Sequence, residues 1–214
     1  MDNNFTLRER KKIQTMVSIL DAFLISLELR PFHEIGVEDV CEQASISKMT
    51  FFRYFSSKEE VLDYFVLRWC CQRSIEVQAG TYQGEEGIRH VFQSASEIPS
   101  ASKILVALLQ YYSKLKEPPV KKDLMAYERY LISGNNVNSL EVQILPLRDI
   151  LFHYANETDV TDVLRPDFVD HLLTLFYGIP FQVYTGMIGT ASLSDAYQTH
   201  LDLMFALTRP TGVN

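Results

Sequence analysis

Apolar residues recur every three or four positions between residues 8 and 28, which is the spacing of one buried face of an α-helix. Pro31 has no backbone N–H to continue such a helix, so we expect the helix to end before it. The pattern predicts one long amphipathic helix with an apolar stripe made of Ile13, Met16, Val17, Leu20, Phe23, Leu24 and Leu27.

Residues 37–44 form a second, shorter segment with the same periodicity. Its apolar positions follow the i, i+3, i+4, i+7 rule of a buried helix face. A tight turn is expected at Ser45 and Ile46, and Ser47 is a good residue to cap a further helix because its hydroxyl can accept an amide hydrogen bond. The apolar positions of this segment are Val37, Val40, Cys41 and Ala44.

The helix that follows the turn has one apolar side and one polar side. Phe51 and Phe55 are four residues apart and therefore face the same way. Two short helices joined by a tight turn are typical of a helix-turn-helix, whose second helix can enter a DNA major groove. The side of that helix opposite the two phenylalanines carries Lys48, Thr50, Arg53 and Tyr54.

Helical periodicity continues to the end of the chain, and no strand-like alternation competes with it. Clusters of Gly, Pro and Asn separate the segments. We therefore expect an all-α protein with an N-terminal three-helix DNA-binding domain, residues 1–57, and a C-terminal helical domain for ligand binding and dimerisation, residues 58–214. The predicted C-terminal helices span residues 58–78, 85–97, 100–116, 120–132, 139–155, 166–187 and 193–208.

Composition narrows the class of protein further. The 214 residues include no apolar stretch long enough to span a bilayer, and the first residues do not resemble a signal peptide, so we expect a cytoplasmic protein with no membrane association. Three cysteines, an odd number, argue against a disulfide framework. The adjacent Cys70 and Cys71 could sense redox state or simply pack within a helix.

The net charge of −7 is not spread evenly along the chain. Residues 1–58 hold eight Lys and Arg against eight Asp and Glu, whereas residues 59–214 hold twelve against nineteen. The acidic surplus therefore lies outside the predicted DNA-binding domain. A basic cluster at the start of the first helix, which could also be merely a solvated helix face, consists of Arg8, Arg10, Lys11 and Lys12.

The stretch VEDVCEQASISKMTFFRYFSSKEEVL, residues 37–62, resembles the tetracycline-repressor (TetR) family of bacterial transcription regulators. The resemblance extends over about residues 7–67 and rests on a small turn, Ser-x-x-Thr, aromatic residues and then Phe-x-x-Lys-Glu. Gly36 stands where a Thr cap is usual, Ser45 and Met49 where Gly is common, and Phe52 where a Tyr is common. That Tyr commonly contacts a DNA phosphate through its hydroxyl, which Phe52 lacks.

We expect the DNA contacts to come from the second helix of the motif and the start of the next one. Lys48 and Lys58 are the expected phosphate ligands, while Arg53 and Tyr54 are expected to touch bases, with packing as the alternative for Tyr54. The predicted DNA-binding residues are Ser47, Lys48, Thr50, Phe52, Arg53, Tyr54 and Lys58.

The last two predicted helices are apolar almost all round, which favours burial against a second subunit. The family resemblance implies the same homodimer, although these helices could also form the core of one subunit. Pro180 should kink or split the first of them. The predicted dimer residues are Phe168, Leu172, Leu175, Phe176, Ile179, Tyr197, Leu201 and Met204.

An effector pocket is the weakest signal in the sequence, because large aromatic rings pack in helical cores by default. His153 and His171 lack the spacing of a metal site, and we predict neither a metal nor a cofactor. The aromatic residues that could line a pocket for an unidentified small molecule are Tyr111, Tyr112, Tyr127, Tyr130, Phe152, Phe176 and Tyr177.

These patterns favour a transcriptional regulator over an enzyme, because no nucleophile elbow, Gly-rich phosphate loop or zinc-ligand pattern is present. The resemblance implies a repressor that binds a palindromic operator in double-stranded DNA as a homodimer and is released by a small molecule. Residues 58–78 would then link the DNA-binding domain to the effector domain. The alternative is a helical protein-interaction module that has lost DNA binding.

Overall fold

The computed structural model describes residues 5–116, 123–161, 164–189 and 192–208, and within these ranges the chain is helical with no strand. None of the described helices combines the length and apolar character needed to cross a bilayer. The α-helices are α1 Leu7–Leu29, α2 Val37–Gln43, α3 Lys48–Tyr54, α4 Lys58–Ala79, α5 Gly84–Ser96, α6 Ala101–Tyr112, α7 Ala126–Ile132, α8 Leu147–Ala155, α9 Arg165–Tyr184 and α10 Leu193–Thr208.

The chain divides into two compact units, and the division falls within α4 and α6. The first unit comprises Met1–Ile75 and Gln110–Ile144, and the second comprises Glu76–Leu109 and Leu145–Asn214. The first unit therefore contains more than the expected DNA-binding domain, because α7 packs against α1. The functional boundary after residue 57 stays a prediction.

Polar side chains cap the beginnings of α1 and α2. The Thr6 hydroxyl accepts the Glu9 amide at 3.2 Å, and the Glu9 carboxylate accepts the Thr6 amide at 2.8 Å, so two unpaired donors of α1 are satisfied. At α2 the Gly36 amide donates to the Asp39 carboxylate at 2.7 Å. Asp39 thus satisfies an amide at a helix start that lacks the usual Thr cap.

The core of the first unit follows the predicted stripe of α1. Ile13, Leu20, Phe23 and Leu27 are buried as expected. Ile19 is buried as well, whereas Met16, Val17 and Leu24 are only half-buried. The buried side of α1 packs on α2, which in turn packs on α3.

In the second unit α5, α8, α9 and α10 pack around an aromatic core. The Phe92 ring lies edge-on to Phe176 and Tyr197 at centroid distances of 5.4 and 4.9 Å. On the rim, Arg89 of α5 bonds Gln198 at 2.9 Å and pairs with Asp202 at 2.8 Å, both on α10. Apolar burial and a polar clasp therefore hold α5 against α10.

Three predicted helices before α9 differ by several residues from the observed ones. The helix predicted over residues 139–155 begins only at Leu147, because Pro146 starts α8 more readily than it continues a helix. A 3₁₀ turn, Val137–Ser139, lies where the helix was predicted to begin. The helix predicted over residues 100–116 ends at Tyr112. The helix predicted over residues 120–132 begins at Ala126, and its first three residues lie outside the described ranges.

Pro180 does not split α9, which continues unbroken from Arg165 to Tyr184. The helix does end earlier than predicted: Thr185 caps it, and Gly186 follows with a positive φ of 72°. Positive φ is inexpensive for glycine and stops the helix there.

Gly87 lies within α5, in the segment predicted as a helix over residues 85–97. A Cβ at this position would lie 2.2 Å from Cδ1 of Tyr154, a ring on α8 that is 1% exposed. Glycine is therefore required here because α5 and α8 approach too closely for any side chain.

Gly87→Ala should destabilise the protein by at least about 2 kcal/mol, since the buried Tyr154 ring has to move to admit the methyl group. Denaturant unfolding measures the effect. The matched control is Gly178→Ala in α9, where no atom lies within 4 Å of an added Cβ. That variant should be as stable as the wild type or slightly more so, because alanine favours a helix. Equal stabilities of the two variants would contradict the close approach at Gly87.

Candidate nucleic-acid interface

The turn between α2 and α3 is made by Ser45, which has a positive φ of 55°. The Ile46 amide donates to the Cys41 carbonyl at 2.9 Å, and the Ser45 amide donates to Glu42 at 3.1 Å. These bonds satisfy the last carbonyls of α2 while the left-handed residue reverses the chain. Ser45 thus adopts a conformation in which glycine would be less strained. This agrees with the family pattern, in which Gly is common at this position.

Ser47 caps α3 as predicted: its hydroxyl accepts the Thr50 amide at 3.1 Å. Phe51 and Phe55 are 0% and 2% exposed and anchor one side of the helix in the first unit's core. Because both rings are buried, the rotation of α3 about its axis is fixed. The opposite side of the helix must face solvent.

Four side chains of α3 are exposed, namely Lys48, Met49, Phe52 and Arg53. Thr50 and Tyr54, which the sequence placed with them, are half-buried. The structure therefore brings Lys48, Phe52 and Arg53 to one open face and leaves Thr50 and Tyr54 at its edge. Met49 is 74% exposed, although it is absent from the predicted DNA-binding residues, which were chosen mainly for their polar groups. Its position between Lys48 and Thr50 was the signal in the sequence that could have indicated it.

The ammonium group of Lys48 pairs with the carboxylate of Glu38 at the start of α2. Both side chains are more than half exposed. The hydrogen bond from Lys48 holds the pKa of Glu38 below its usual value, so Glu38 stays ionised. An exposed pair of this kind contributes little stability and can exchange partners. Lys48 can therefore reach a phosphate only in competition with Glu38.

Lys58 is engaged inside the first unit rather than free at the surface. Its ammonium donates to the carbonyls of Phe32 and Ile35 at 2.8 and 2.7 Å and lies 4.5 Å from the Phe32 ring centre. Burial lowers the pKa of Lys58. These bonds tie α4 to the turn before α2. A phosphate contact by Lys58, which stays a prediction, would have to replace them.

The basic start of α1 is exposed at Arg8, Arg10, Lys11 and Lys12. An aromatic clasp sits beside it: the Phe5 ring lies 5.0 Å from Tyr127 and 5.4 Å from Tyr130, both on α7. Arg10 also lies 6.0 Å from the Tyr127 ring centre. The clasp holds the beginning of α1 and gives Tyr127 and Tyr130 structural partners within the first unit.

Tyr111 and Tyr112, two further candidates for the effector pocket, share one carboxylate. Their hydroxyls donate to the two oxygens of Asp63 on α4, at 3.0 and 3.2 Å. Burial raises the pKa of Tyr111 to about 12, so the hydroxyl remains a donor at neutral pH. These two candidates therefore connect α6 to α4 within the first unit.

The remaining pocket candidates belong to the second unit. Phe176 is 4% exposed and packs against Phe92, Tyr177 and Tyr197, so it is a core residue. Phe152 is exposed at the surface of α8. The pocket candidates thus divide between the units, and their joint role as a pocket stays a prediction.

Six of the eight predicted dimer residues are buried by the chain itself. Leu172 and Leu201 are 0% exposed, which leaves them no surface to offer a partner. The other four are at most 5% exposed and also pack in the second unit's core, so a dimer contact by these residues stays a prediction. The six are Phe168, Leu172, Phe176, Ile179, Tyr197 and Leu201, while Leu175 and Met204 are half-buried.

The exposed apolar residues of the last two helices are different ones. They are Phe181 and Tyr184 on α9, Met187 just after it, and Leu203 and Leu207 on α10, with exposures between 42% and 84%. Large contiguous apolar patches on a protein surface mark contact sites, whereas isolated exposed apolar residues are ordinary. Sequence periodicity could not separate these residues from the core, because both faces of the helices are apolar.

Nothing in the described ranges gathers three His, Cys, Asp or Glu residues into a possible metal site. His153 lies 3.6 Å from Glu157, and the Nδ1 of His171 contacts the Asp167 carbonyl at 2.6 Å, so each histidine has a local partner. Cys70 and Cys71 are buried, and burial raises the pKa of Cys71 to about 11. A protonated, buried thiol reacts slowly, which favours packing over redox sensing.

Comparison with known proteins matches residues 19–65 to the family described as bacterial regulatory proteins, tetR family. A curated relative, the HTH-type dhaKLM operon transcriptional activator DhaS of Lactococcus lactis subsp. lactis (strain IL1403), is 35% identical over 60 residues. That match covers 28% of this chain and 32% of DhaS, so it spans about a third of the relative's length.

A solved structure extends the similarity of fold to nearly the whole chain. It is a TetR transcriptional regulator from Rhodococcus sp. RHA1, with a TM-score of 0.55 and 14% sequence identity, and the alignment covers 95% of this chain and all of that one. The family match lies on α1 to α4, where the capped and turned helices described above form a helix-turn-helix. The amino-terminal part of the chain, residues 19–65, is therefore a domain of the tetR family of bacterial regulatory proteins.

Proposed function

We propose that this protein is a DNA-binding transcriptional regulator, a repressor that binds a palindromic operator as a homodimer and is released by a small molecule. The observation that carries the proposal is the open face of α3, where Lys48 and Arg53 are exposed on a helix whose other side is locked in the core. A short helix held in this way can lie in a major groove, with its cations near phosphates.

Control of transcription is also supported by the name of the curated relative, which is a transcriptional activator of an operon. Repression is the sense that the family resemblance implies. A reporter gene placed behind the bound DNA distinguishes the two, because a repressor lowers and an activator raises its expression.

The homodimer is supported by the exposed apolar residues of α9 and α10 rather than by the buried ones. Phe181 and Tyr184 are three residues apart, and Leu203 and Leu207 four, so each pair forms a continuous strip on its helix. A twofold arrangement of two chains would present two copies of α3. The DNA site would then contain two inverted half-sites about one helical turn apart.

Release by an effector is supported by the bonding of α4 in the first unit. Asp63 accepts both tyrosine hydroxyls of α6, and the next residue, Tyr64, donates to Glu128 of α7, which is 2% exposed. A molecule that took over these polar groups would change the position of α4 a few residues after the Lys58 contacts. A coupling of about 1 to 3 kcal/mol would lower DNA affinity roughly 5- to 150-fold.

Selection from random double-stranded DNA with the purified protein should enrich a palindrome, because two copies of α3 related by a twofold axis prefer inverted repeats. Sequencing of the bound fraction measures this. If no sequence is enriched even at low salt, DNA binding is excluded in favour of the protein-interaction module. An enriched site without inverted symmetry would contradict only the dimeric arrangement.

Glu38→Gln should strengthen binding to the enriched DNA roughly threefold, since it releases Lys48 from an exposed ion pair and removes a carboxylate beside the phosphates. Fluorescence anisotropy at several salt concentrations measures the affinity. In the Lys48→Gln background the same change should have a smaller effect, and Lys48→Gln alone should reduce the salt dependence by about one ion. Equal effects of Glu38→Gln in both backgrounds would contradict a role for the pair.

Leu203→Glu should yield monomers, because a carboxylate at the centre of an apolar contact loses its hydration without gaining a partner. Sedimentation or native mass spectrometry measures the mass. The matched control is Leu131→Glu on α7, also an exposed leucine, which should leave the mass unchanged. A wild-type mass that is monomeric, or a dimer that survives Leu203→Glu, would remove this surface from the proposal.

A further inference from the structure

The open face of α3 is apolar at its centre. Met49 is 74% exposed and Phe52 54%, although large apolar side chains are usually buried. At about 100° per residue, the exposed side chains follow one another around the helix in the order Lys48, Phe52, Met49, Arg53. Two apolar groups therefore stand between two cations.

These two side chains are not needed for the core. Phe51 and Phe55 already fill the buried side of the helix. The Phe52 ring meets Phe51 edge-on, with centroids 5.4 Å apart and planes at 83°, so Phe52 is held in place by its inner edge. The rest of its ring remains open to solvent, and little conformational freedom would be lost on binding a ligand.

The flanking cations indicate which surface can cover this apolar centre. Lys48 and Arg53 fit a polyanion, and between the phosphate rows of a DNA major groove the one apolar group on the base edges is the 5-methyl of thymine. The other base edges carry hydrogen-bonding groups, which would lose water against Met49 and Phe52 without finding a partner.

We propose that Met49 and Phe52 determine specificity by contacting thymine methyl groups in each half-site. The proposal rests on the DNA binding proposed above and adds the base that this helix selects. In the family pattern the two positions commonly hold Gly and a phosphate-binding Tyr. In this chain a phosphate contact is exchanged for apolar area directed at the bases.

The test uses the DNA fragment that wild-type protein enriches from the random pool, synthesised with deoxyuridine in place of one thymine at a time. Deoxyuridine lacks only the methyl group, so every hydrogen-bonding edge is preserved. The wild type should bind about fourfold more weakly at each contacted position, which is the effect of removing one buried methyl group. Anisotropy titrations measure the affinity.

Met49→Ala and Phe52→Ala should each bind the thymine and deoxyuridine forms equally at one of those positions, while Met49→Leu should still discriminate. Arg53→Ala is the matched control, because it should weaken binding to both forms by the same factor. Both apolar side chains are exposed, so unchanged thermal unfolding of the alanine variants is expected and separates loss of contact from loss of fold.

The outcomes separate this inference from the proposed function. Specific binding that is indifferent to deoxyuridine at every thymine, or an enriched site without thymine, would overturn the inference and leave DNA binding intact. Methyl discrimination that persists unchanged in both alanine variants would also overturn it. Failure to enrich any sequence would overturn both proposals.

Discussion

The burial of Phe51 and Phe55 on one side of α3 is the constraint on which the exposed face of that helix depends. Both rings are essentially inaccessible, so the helix cannot rotate without opening the core. Large apolar side chains cost several kcal/mol when their packing is lost. A seven-residue helix has little stability of its own and is held in place by these contacts.

The cations around this helix differ in what they can do, although they look equivalent in the sequence. Arg53 is exposed, Lys48 is paired with an exposed carboxylate, and Lys58 is bonded to two carbonyl groups. Their availability to phosphate should fall in that order, since Lys48 would have to leave one ion pair and Lys58 two hydrogen bonds. The neutral charge of the amino-terminal segment therefore gives little information about the charge of the face itself.

In the second unit the same two helices carry both core residues and exposed apolar residues. Phe176 and Tyr197 are buried among other aromatic rings, while Phe181 and Leu203 of the same two helices are exposed. Because α9 and α10 are apolar on both sides, one side builds the core of the unit and the other leaves apolar side chains exposed. The core of this unit also depends on Gly87, whose missing side chain lets α5 lie directly on a buried ring of α8.

The sequence by itself determined the all-α class, the helix-turn-helix, the Ser47 cap and the buried positions of Phe51 and Phe55. These features are local: they follow from helical spacing and from hydrogen bonds within a few residues. The sequence did not determine the partners of Lys48 and Lys58, the exposure of Met49, the role of Gly87 or the side of α9 that lies inside. Those depend on residues distant in the chain, such as Phe32, Ile35 and Tyr154, which only the tertiary structure brings into contact.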